Sequence, residues 1–470
     1  AQGIFVEGFV EDCQGGLVMV DSLMYGAFAK GRMRSFRERL CLEELSGSLG
    51  DLGTLIPLLS ACATSGAIRM GPAVFWMGVF NIITAFQWDI PMPVQPMKSI
   101  CAVAIVDGMT SGAFAAAGII TGAIVAILGV TGLIEFASML IPRSVIAGMQ
   151  LGLGIKMIAK GCSYWHYISD GVETTWVDDI DCKVVALISF STLLFMVMKT
   201  RLPSALIIFS LGAVLAATKM AKLSIPFQFG FPEFEFRMPV GRDWVDGLLL
   251  GAIPQLPLTT MNSCISVCAL SVSLFGDPDA GGKGVRLASV ASSVGFMNFV
   301  GCWFGGMPSC HGAGGLAGQY KFGARGGAAI LMLGIAKVVI SLGLGSLLDD
   351  AVAYYPRTVL GVMLVFAGLE LASVGAKSLM ASSTSELELA PCLLTAGAYI
   401  GMQNMALGVC LGMLAAGAQV TGSDIGQFWG QLQGKWAGAS SASPAPVQAE
   451  RQPLPQQVPS PSSSASRSSS

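Results

Sequence analysis

Two polar, proline-containing motifs interrupt apolar stretches of the chain and bring together residue types that could bind an anion. The first reads PMPVQPMKSI from residue 91 and contains Gln95, Lys98 and Ser99. Because proline suits the first turn of a helix but not its interior, this motif predicts an extended lead-in and a helix that begins within the apolar segment. The free N–H groups and the positive dipole end of such a helix form a site for an anion.

The second motif reads MPSCHGAGGLAGQY from residue 307. A proline again precedes the candidate ligands, which are Ser309, Cys310, His311 and Gly312. The glycines of this motif would let the backbone come close to a bound group. With the two helix starts facing each other, N–H donors would converge from both sides, which suits a small oxyanion.

Each of these side chains also has a structural interpretation. Lys98 is a cation within an apolar segment, so it binds the anion, pairs with a nearby acid or extends to the membrane surface. Gln95 either donates to an oxyanion or hydrogen-bonds between helices. Ser309 is a candidate donor. His311 could donate to the anion, carry a proton or bond to the backbone.

A carboxylate lies in the first apolar segment, where the sequence around Asp51 reads SGSLGDLGTLIPL. A lone buried carboxylate needs a partner, or it takes up a proton. Asp51 is therefore predicted to pair with Lys98, to carry a coupling proton or to cap a helix. Thr54 lies nearby, and Gln255 lies between two prolines at the matching place in the second half of the chain. Both are additional ligand candidates.

Composition identifies the environment of these motifs. Charged residues make up 12% of the 470 residues, against about 25% in soluble domains, and apolar residues make up 53%. The mean hydropathy is +0.66. Apolar stretches of about 18 residues or more recur, so we predict an all-α membrane protein rather than a β-barrel, whose alternating pattern is weaker. The lack of a basic face argues against nucleic-acid binding.

The sequence offers little for a metal centre or an enzyme. It has 12 cysteines without metal-ligand spacing and two histidines, His166 and His311. No nucleophile–base pair stands out, and no phosphate-binding loop of the G-x-x-x-x-G-K-[ST] type occurs. We therefore expect no cofactor, no metal site and no enzymatic activity.

About fourteen apolar segments form two related halves. The matching stretches are IPRSVIAGMQLGLGIK from residue 141 with YPRTVLGVMLVFAGLE from residue 355, and LGDLGTLIPL from residue 49 with LLGAIPQLPL from residue 249. Lys156 and Glu370 occupy matching positions and are expected to stabilise packing between the two bundles. Because each half has about seven segments, an odd number, the second half enters the bilayer in the opposite orientation. Such a seven-plus-seven inverted repeat is typical of secondary transporters.

Domain boundaries follow the change in composition. The predicted transmembrane domain covers residues 41–420, with repeats at 41–218 and 245–420. Residues 1–40 end in a basic cluster and are predicted to be a variable cytoplasmic segment, under the positive-inside rule. Residues 434–470 are rich in Ser, Pro, Ala and Gln and are predicted to form a disordered cytoplasmic tail. The loop near residues 219–243 is predicted to lie outside, but its mixed charge fits this rule less well.

Three blocks carry a resemblance to a known family. They read ELSGSLGDLGTLIPL from residue 44, PMPVQPMKSICAVAI from residue 91 and MPSCHGAGGLAGQYKFGARGG from residue 307. Together they resemble the signature blocks of the molybdate transporter family of plants, algae and microbes, which is related to the SulP sulfate permeases. The resemblance implies molybdate uptake and a SulP-like fold with a core bundle and a gate bundle. It also implies that the third and tenth segments, here residues 93–99 and 308–312, hold the anion.

These inferences lead to one functional hypothesis with alternatives. We expect a secondary active transporter that imports molybdate by alternating access. Moving a dianion against an inside-negative potential costs about 2.3 kcal/mol per charge per 100 mV, so compensating protons must enter, and Asp51 and His311 are the candidate carriers. Sulfate or another tetrahedral oxyanion such as tungstate is the alternative substrate, and a passive anion channel is the alternative mechanism.

The expected surroundings of the protein follow from the same hypothesis. Its partners are the substrate and a lipid bilayer, which we expect to be the plasma membrane, with the vacuolar or another internal membrane as the alternative. A homodimer is one candidate assembly.

Overall fold

The computed structural model describes residues 31–134, 136, 141–166, 168–169, 172–173, 181–199, 204–225, 227, 229–380 and 385–419. This part of the chain is nearly all helical, in agreement with the predicted fold class. Residues 1–30 of the predicted N-terminal segment and the whole predicted tail lie outside the described residues.

The helices follow the two predicted halves of the chain. The first half contains α1 (Leu42–Thr64), α2 (Met70–Trp88), α3 (Lys98–Val103), α4 (Ser111–Val130), α5 (Arg143–Ser163), α6 (Lys183–Lys199) and α7 (Ser204–Lys222). The second half contains α8 (242–275), α9 (Leu287–Gly301), α10 (Ala313–Lys321), α11 (Gly327–Tyr354), α12 (Arg357–Met380), α13 (Ser385–Met402) and α14 (Met405–Ala418). The short strands are β1 (Gln95–Pro96), β2 (Ile168–Ser169), β3 (Val172–Glu173) and β4 (Ser309–Cys310).

Nine helices in the described part of the chain are long and apolar enough to cross a membrane, and α13 and α14 contain shorter apolar stretches. By contrast, α3 and α10 are short, because each begins only after an extended segment. The chain is a multi-span membrane protein, as the composition predicts, whereas the count of fourteen spans stays a prediction.

The two helices that carry the repeated Pro-Arg sequence, α5 and α12, pack against each other through glycines. A Cβ atom on Gly154 would lie 2.5 Å from the carbonyl oxygen of Gly368, and one on Gly368 would lie 2.7 Å from that of Gly154. Gly161 and Gly361 approach each other in the same reciprocal way. Small residues let membrane helices come this close, and reciprocal contacts are what a two-fold axis produces. The two halves therefore meet about a pseudo-two-fold axis.

The remaining helices divide into two groups around this pair. α5, α6, α12, α13 and α14 pack mainly with one another, and with α7, which also packs on α1 and α11, they form a bundle that we call the gate bundle. The other group, the core bundle, contains α1 to α4 and α8 to α11, and in it α2 packs along α11 and α4 packs along α9. At its centre β1 pairs antiparallel with β4, which places Gln95 opposite Cys310 and Pro96 opposite Ser309. The lead-ins of α3 and α10 therefore meet inside the protein.

The loop between α7 and α8 explains the mixed charge near residues 219–243. Arg69, in the connection from α1 to α2, pairs with Glu233 at 2.5 Å and with Glu235 at 2.9 Å. Arg237 donates to the carbonyl oxygen of Ala67 at 3.1 Å. The charges of this loop therefore hold it against the connection between α1 and α2.

The described end of the N-terminal segment packs on the core bundle. Residues 31–38 are helical, and the Phe36 side chain is buried against α2 and α11, where its ring meets that of Phe86 edge-on at 5.2 Å. Arg32 pairs with Asp89, at the end of α2, at 3.2 Å. Part of the predicted basic cluster therefore contacts the transmembrane helices rather than only solvent.

Candidate functional site

Both predicted helix breaks are present. α3 begins at Lys98, after Met97 in an extended conformation, and α10 begins at Ala313, after Gly312 in an extended conformation. The Met97 N–H donates to the carbonyl oxygen of Pro308 at 2.8 Å, which continues the pairing of β1 with β4. The two interrupted helices therefore meet tip to tip, with their N-terminal ends inside the protein.

The N-terminal end of α3 is capped by a side chain of α8. The Ser99 and Ile100 N–H groups donate to Gln255 Oε1 at 2.9 and 3.4 Å. Gln255 Nε2 in turn donates to Thr259 Oγ1 at 2.9 Å. In this conformation, the Gln255 side-chain carbonyl oxygen accepts from two N–H groups that were expected from the sequence to bind an anion. Gln255 therefore positions the α3 tip.

Gln95, on β1, connects the tip to α1. Its Nε2 donates to Asp51 Oδ1 and, at 3.2 Å, to Thr54 Oγ1. The start of α10 lies against the same group, because a Cβ on Gly312 would overlap Gln95 Oε1 and one on Gly315 would lie 2.7 Å from Asp51 Oδ1. Glycine at these positions is what lets the Gln95–Asp51 pair lie beside α10.

Asp51 is buried and only half satisfied. Its Oδ1 accepts from Gln95, whereas its Oδ2 has no hydrogen-bond partner among the described residues. Its side chain makes no capping hydrogen bond to the part of α1 that follows it, Leu52–Thr64. The charges of Lys337 and Lys98 both act on this carboxylate, and Lys337 donates to Asn81 Oδ1 at 2.8 Å. Asp51 therefore lies within electrostatic range of two cations and forms no ion pair with either in the described structure.

Lys98 pairs instead with a carboxylate of the gate bundle. Its Nζ lies 3.9 Å from Glu370 Oε1 on α12, with side-chain exposures of 25% and 50%. The pair borders a small cleft that is partly open to the outside, and its volume of about 240 Å³ includes open solvent. The lining residues are Thr54, Leu58, Lys98, Met157, Ala367, Glu370 and Leu371. The cleft thus separates α1 and α3 of the core bundle from α5 and α12 of the gate bundle. Directly after Lys98, Ser99 Oγ is buried without a partner in the described structure.

The polar groups of the α10 tip are held by the core bundle. Asn298 of α9 accepts from the Ser309 N–H at 2.8 Å and donates to the Ser309 carbonyl oxygen at 2.6 Å. Ser309 Oγ donates to the carbonyl oxygen of Met307 at 2.8 Å. Cys310 Sγ accepts from Ser263 Oγ at 3.1 Å. These contacts fix the backbone of β4 and engage the polar groups of its side chains in hydrogen bonds within the protein.

His311 joins the two lead-ins. Its Nδ1 lies 2.8 Å from the carbonyl oxygen of Pro93, and its Nε2 lies 3.1 Å from Ser293 Oγ. A carbonyl oxygen can only accept, so Nδ1 carries the hydrogen and Nε2 of the neutral ring accepts from the serine. The ring is fully buried and meets Trp88 edge-on at 5.1 Å. Both nitrogens are thus engaged away from the lining of the cleft.

Sequence reasoning overlooked several residues that organise this site. Lys337 lies in the middle of the long apolar helix α11, so the cost of a charge within a membrane segment could have identified it. Asn298 and Ser263 are ordinary polar residues of apolar helices, and nothing in their spacing distinguishes them. Their roles depend on which helices are neighbours.

The fold is similar to those of known anion-transporter domains. The chain matches the transmembrane domain of a cyanobacterium bicarbonate transporter, BicA, with a TM-score of 0.56 and 17% identity, covering 80% of this chain and 97% of that one. It matches murine Slc26a9 in the inward-facing state with a TM-score of 0.58 and 15% identity, covering 87% and 74%. At these identities the similarity establishes the fold, which is that of SLC26-type transmembrane domains.

Sequence comparison identifies the family within this fold. The family model described as "Molybdate transporter of MFS superfamily" matches residues 43–157 and 247–371, which begin in α1 and α8 and end in α5 and α12. The Arabidopsis thaliana proteins Molybdate transporter 1 and Molybdate transporter 2 are 38% and 37% identical, covering 72% and 73% of this chain and 80% and 82% of theirs. Molybdate transporter 1 of Chlamydomonas reinhardtii is 29% identical, covering 83% and 93%.

The chain therefore belongs to the molybdate transporter family. This confirms the resemblance carried by its three signature blocks. It also confirms that the protein is a transport protein rather than an enzyme.

Proposed function

We propose that this protein carries molybdate across a membrane by alternating access. The observation that carries the proposal is the extent of similarity to proteins named molybdate transporters, which spans at least 72% of this chain and at least 80% of each of them. The cleft between the core bundle and the gate bundle supports it, because a carrier of this type binds its substrate between two bundles that move against each other.

The proposed binding site is the α3 side of this cleft. Lys98 supplies the positive charge, Thr54 lines the cleft, and Gln95 and Ser99 supply polar groups from the tip of α3. Gln255, Ser309, Cys310, His311 and Gly312 hold the two tips together through the contacts described above. Their role in this proposal is to position the backbone around the anion.

Proton coupling is assigned to Asp51. A dianion entering a negatively charged compartment needs compensating charge, and Asp51 is a buried carboxylate with one unpartnered oxygen, bonded to Gln95 of the α3 tip. Asp51→Asn keeps an oxygen that accepts from Gln95 but cannot carry the proton. We expect uptake by this variant to lose its pH dependence. A pH dependence equal to that of the wild type removes Asp51 from coupling.

Uptake of radiolabelled molybdate by proteoliposomes containing the full chain tests the transport proposal. We expect saturable uptake that an inward proton gradient stimulates. Excess sulfate or tungstate in the same assay measures selectivity, and stronger inhibition by sulfate than by unlabelled molybdate would assign sulfate as the main substrate. Uptake that fails to saturate, together with single-channel currents in planar bilayers, would assign a passive channel instead.

Location and assembly complete the proposal. We propose the plasma membrane and a homodimer. Fluorescence of a tagged full chain in cells separates the plasma membrane from the vacuolar membrane. Mass measurement of the purified protein in lipid nanodiscs separates a dimer from a monomer.

A further inference from the structure

The gate bundle contacts both ends of the helical segment that begins with α3. At its beginning, Lys98 pairs with Glu370 of α12. At its other end, within the π-helical turn Ala104–Gly108, Asp107 pairs with Lys156 of α5. Tyr399 of α13 also donates to Asp107 Oδ2, at 3.1 Å. The segment that carries the proposed binding site is thus attached to the moving partner bundle at two points.

The two gate residues are related by the internal repeat. Lys156 and Glu370 are the last residues of the matching stretches that start at residues 141 and 355. They project from α5 and α12, the two helices that cross through reciprocal glycine contacts. One structural position therefore carries a cation in the first half and an anion in the second. The pseudo-two-fold axis directs them to opposite ends of the same segment.

The two ion pairs differ in strength. Lys156 and Asp107 have side-chain exposures of 10% and 16%, and the Lys156 ammonium also lies over the Tyr399 ring, 4.2 Å from its centroid. Lys98 and Glu370 are 3.9 Å apart and more exposed, so no direct charge-assisted hydrogen bond of about 2.8 Å joins them. The pair at Lys98 is therefore the one that an incoming anion can replace.

We propose that Glu370 is an internal competitor of the substrate, whose carboxylate pairs with Lys98 until a dianion takes its place. This inference rests on the proposed function and adds a residue that sets substrate affinity from the opposite bundle. Both groups line the same cleft, so a dianion at Lys98 must meet or displace the carboxylate. Displacement frees α12 from the α3 tip while Lys156 still holds the other end. Substrate binding is thereby linked to the contact between the bundles.

Equilibrium binding of radiolabelled molybdate to the purified full chain tests this inference. We expect Glu370→Gln to lower the Kd roughly threefold to tenfold. The ion pair that is lost is partly exposed, so each charge in it contributes little. The charge of Glu370 acts twice as strongly on a dianion as on a single negative charge. Glu370→Asp separates competition from simple repulsion. It keeps the negative charge but shortens the side chain, so it cannot reach Lys98, and we expect it to bind molybdate as tightly as Glu370→Gln.

Asp246→Asn is the control for overall charge, because this carboxylate pairs with Arg242 at the start of α8. We expect it to leave the Kd unchanged. The inference is overturned if Glu370→Gln binds no more tightly than the wild type, or if Glu370→Asp retains the wild-type Kd, which would show repulsion without pairing. A wild-type protein that binds no molybdate at all contradicts the proposed function instead.

Discussion

The tips of α3 and α10 follow matching backbone paths, but their side chains have different surroundings. At the α3 tip, Lys98 borders the open cleft and Gln95 extends to Asp51 of α1. At the α10 tip, Ser309 is held by Asn298, and His311 is held between the lead-in of α3 and α9. The backbone is thus nearly symmetric while the chemistry is not. At the α3 tip a cation reaches the cleft, whereas at the α10 tip the polar groups are bonded within the core bundle.

Electrostatics accounts for this division. A cation within the membrane is costly unless it is paired or hydrated. A second cation at the α10 tip would add this cost, and no second substrate would pair with it. A neutral tip whose hydrogen bonds are internal provides rigidity instead. Three experiments test this comparison, from the largest expected effect to the smallest.

Gly312→Ala should have the largest effect, because it acts where the two tips touch. The new Cβ would overlap Gln95 Oε1, so the Gln95 side chain must move and its contact with Asp51 is disturbed. We expect molybdate uptake to fall about a hundredfold, since a displacement of about 1 Å is enough for such a loss. Overpacking should also lower the free energy of unfolding by about 1–3 kcal/mol. Proteoliposome uptake and thermal unfolding in detergent measure the two effects.

Gly314→Ala is the matched control on the same helix. No neighbouring heavy atom lies within 4 Å of a Cβ placed there. We expect near wild-type uptake and stability. An equal loss in both variants would show that α10 tolerates no side chain for reasons unrelated to Gln95.

Lys98→Met and Ser309→Ala compare the tips directly. Removing the cation should raise the KM for molybdate roughly tenfold or more, because a charge facing the substrate is lost. Removing the Ser309 hydroxyl should change the KM by less than about threefold, because this group donates to the backbone of Met307. The measurement is the concentration dependence of uptake. A larger KM change in Ser309→Ala would reverse the roles assigned to the tips.

The smallest effect concerns the anchors of the two lead-ins. Asp89, at the start of the first one, pairs with Lys283 at 2.7 Å and Arg32 at 3.2 Å. Burial alone would raise the pKa of this carboxyl, but the hydrogen bond and charge of Lys283, with the charge of Arg32, hold the pKa below its usual 3.8. Because the pKa is lower in the folded protein, this stabilisation is complete above about pH 4 and is lost as the pH falls through the folded-state pKa.

Asp89→Asn should therefore lower the Tm by a few degrees at pH 7, and its difference from the wild type should shrink below about pH 4. The anchor of the second lead-in is the neutral Asn298. We therefore expect the Tm difference between Asn298→Ala and the wild type to be the same at pH 7 and below about pH 4. Thermal unfolding across this pH range measures both variants. A constant difference for Asp89→Asn down to pH 3 would contradict the ion-pair anchor.

The helix breaks illustrate what could be predicted from the sequence. Proline acts locally, through its fixed φ and missing N–H group, so the prolines before Lys98 and at Pro308 predict interrupted helices without knowledge of their neighbours. At the second break the helix begins several residues after the proline, at Ala313. The structure continues the extended chain to Gly312, since pairing with β1 holds Ser309 and Cys310 as a strand.

The partners of the site residues could not be predicted in this way. Asp51 and Glu370 were both available to Lys98 in the sequence, and only the packing of α12 beside α3 favours Glu370. The N–H groups of α3 were expected to face an anion, and the prolines around Gln255 gave no indication that its carbonyl oxygen would accept from them.

The sequence by itself determined the membrane environment, the two related halves, the family and the positions of the two breaks. These properties depend on hydropathy and on backbone preferences that act over a few neighbouring residues. The tertiary structure decided which polar groups pair, which tip borders the cleft and which bundle supplies Glu370. In an apolar interior a buried polar group bonds to whichever partner packing brings within about 3 Å, and that partner is often more than a hundred residues away in the chain.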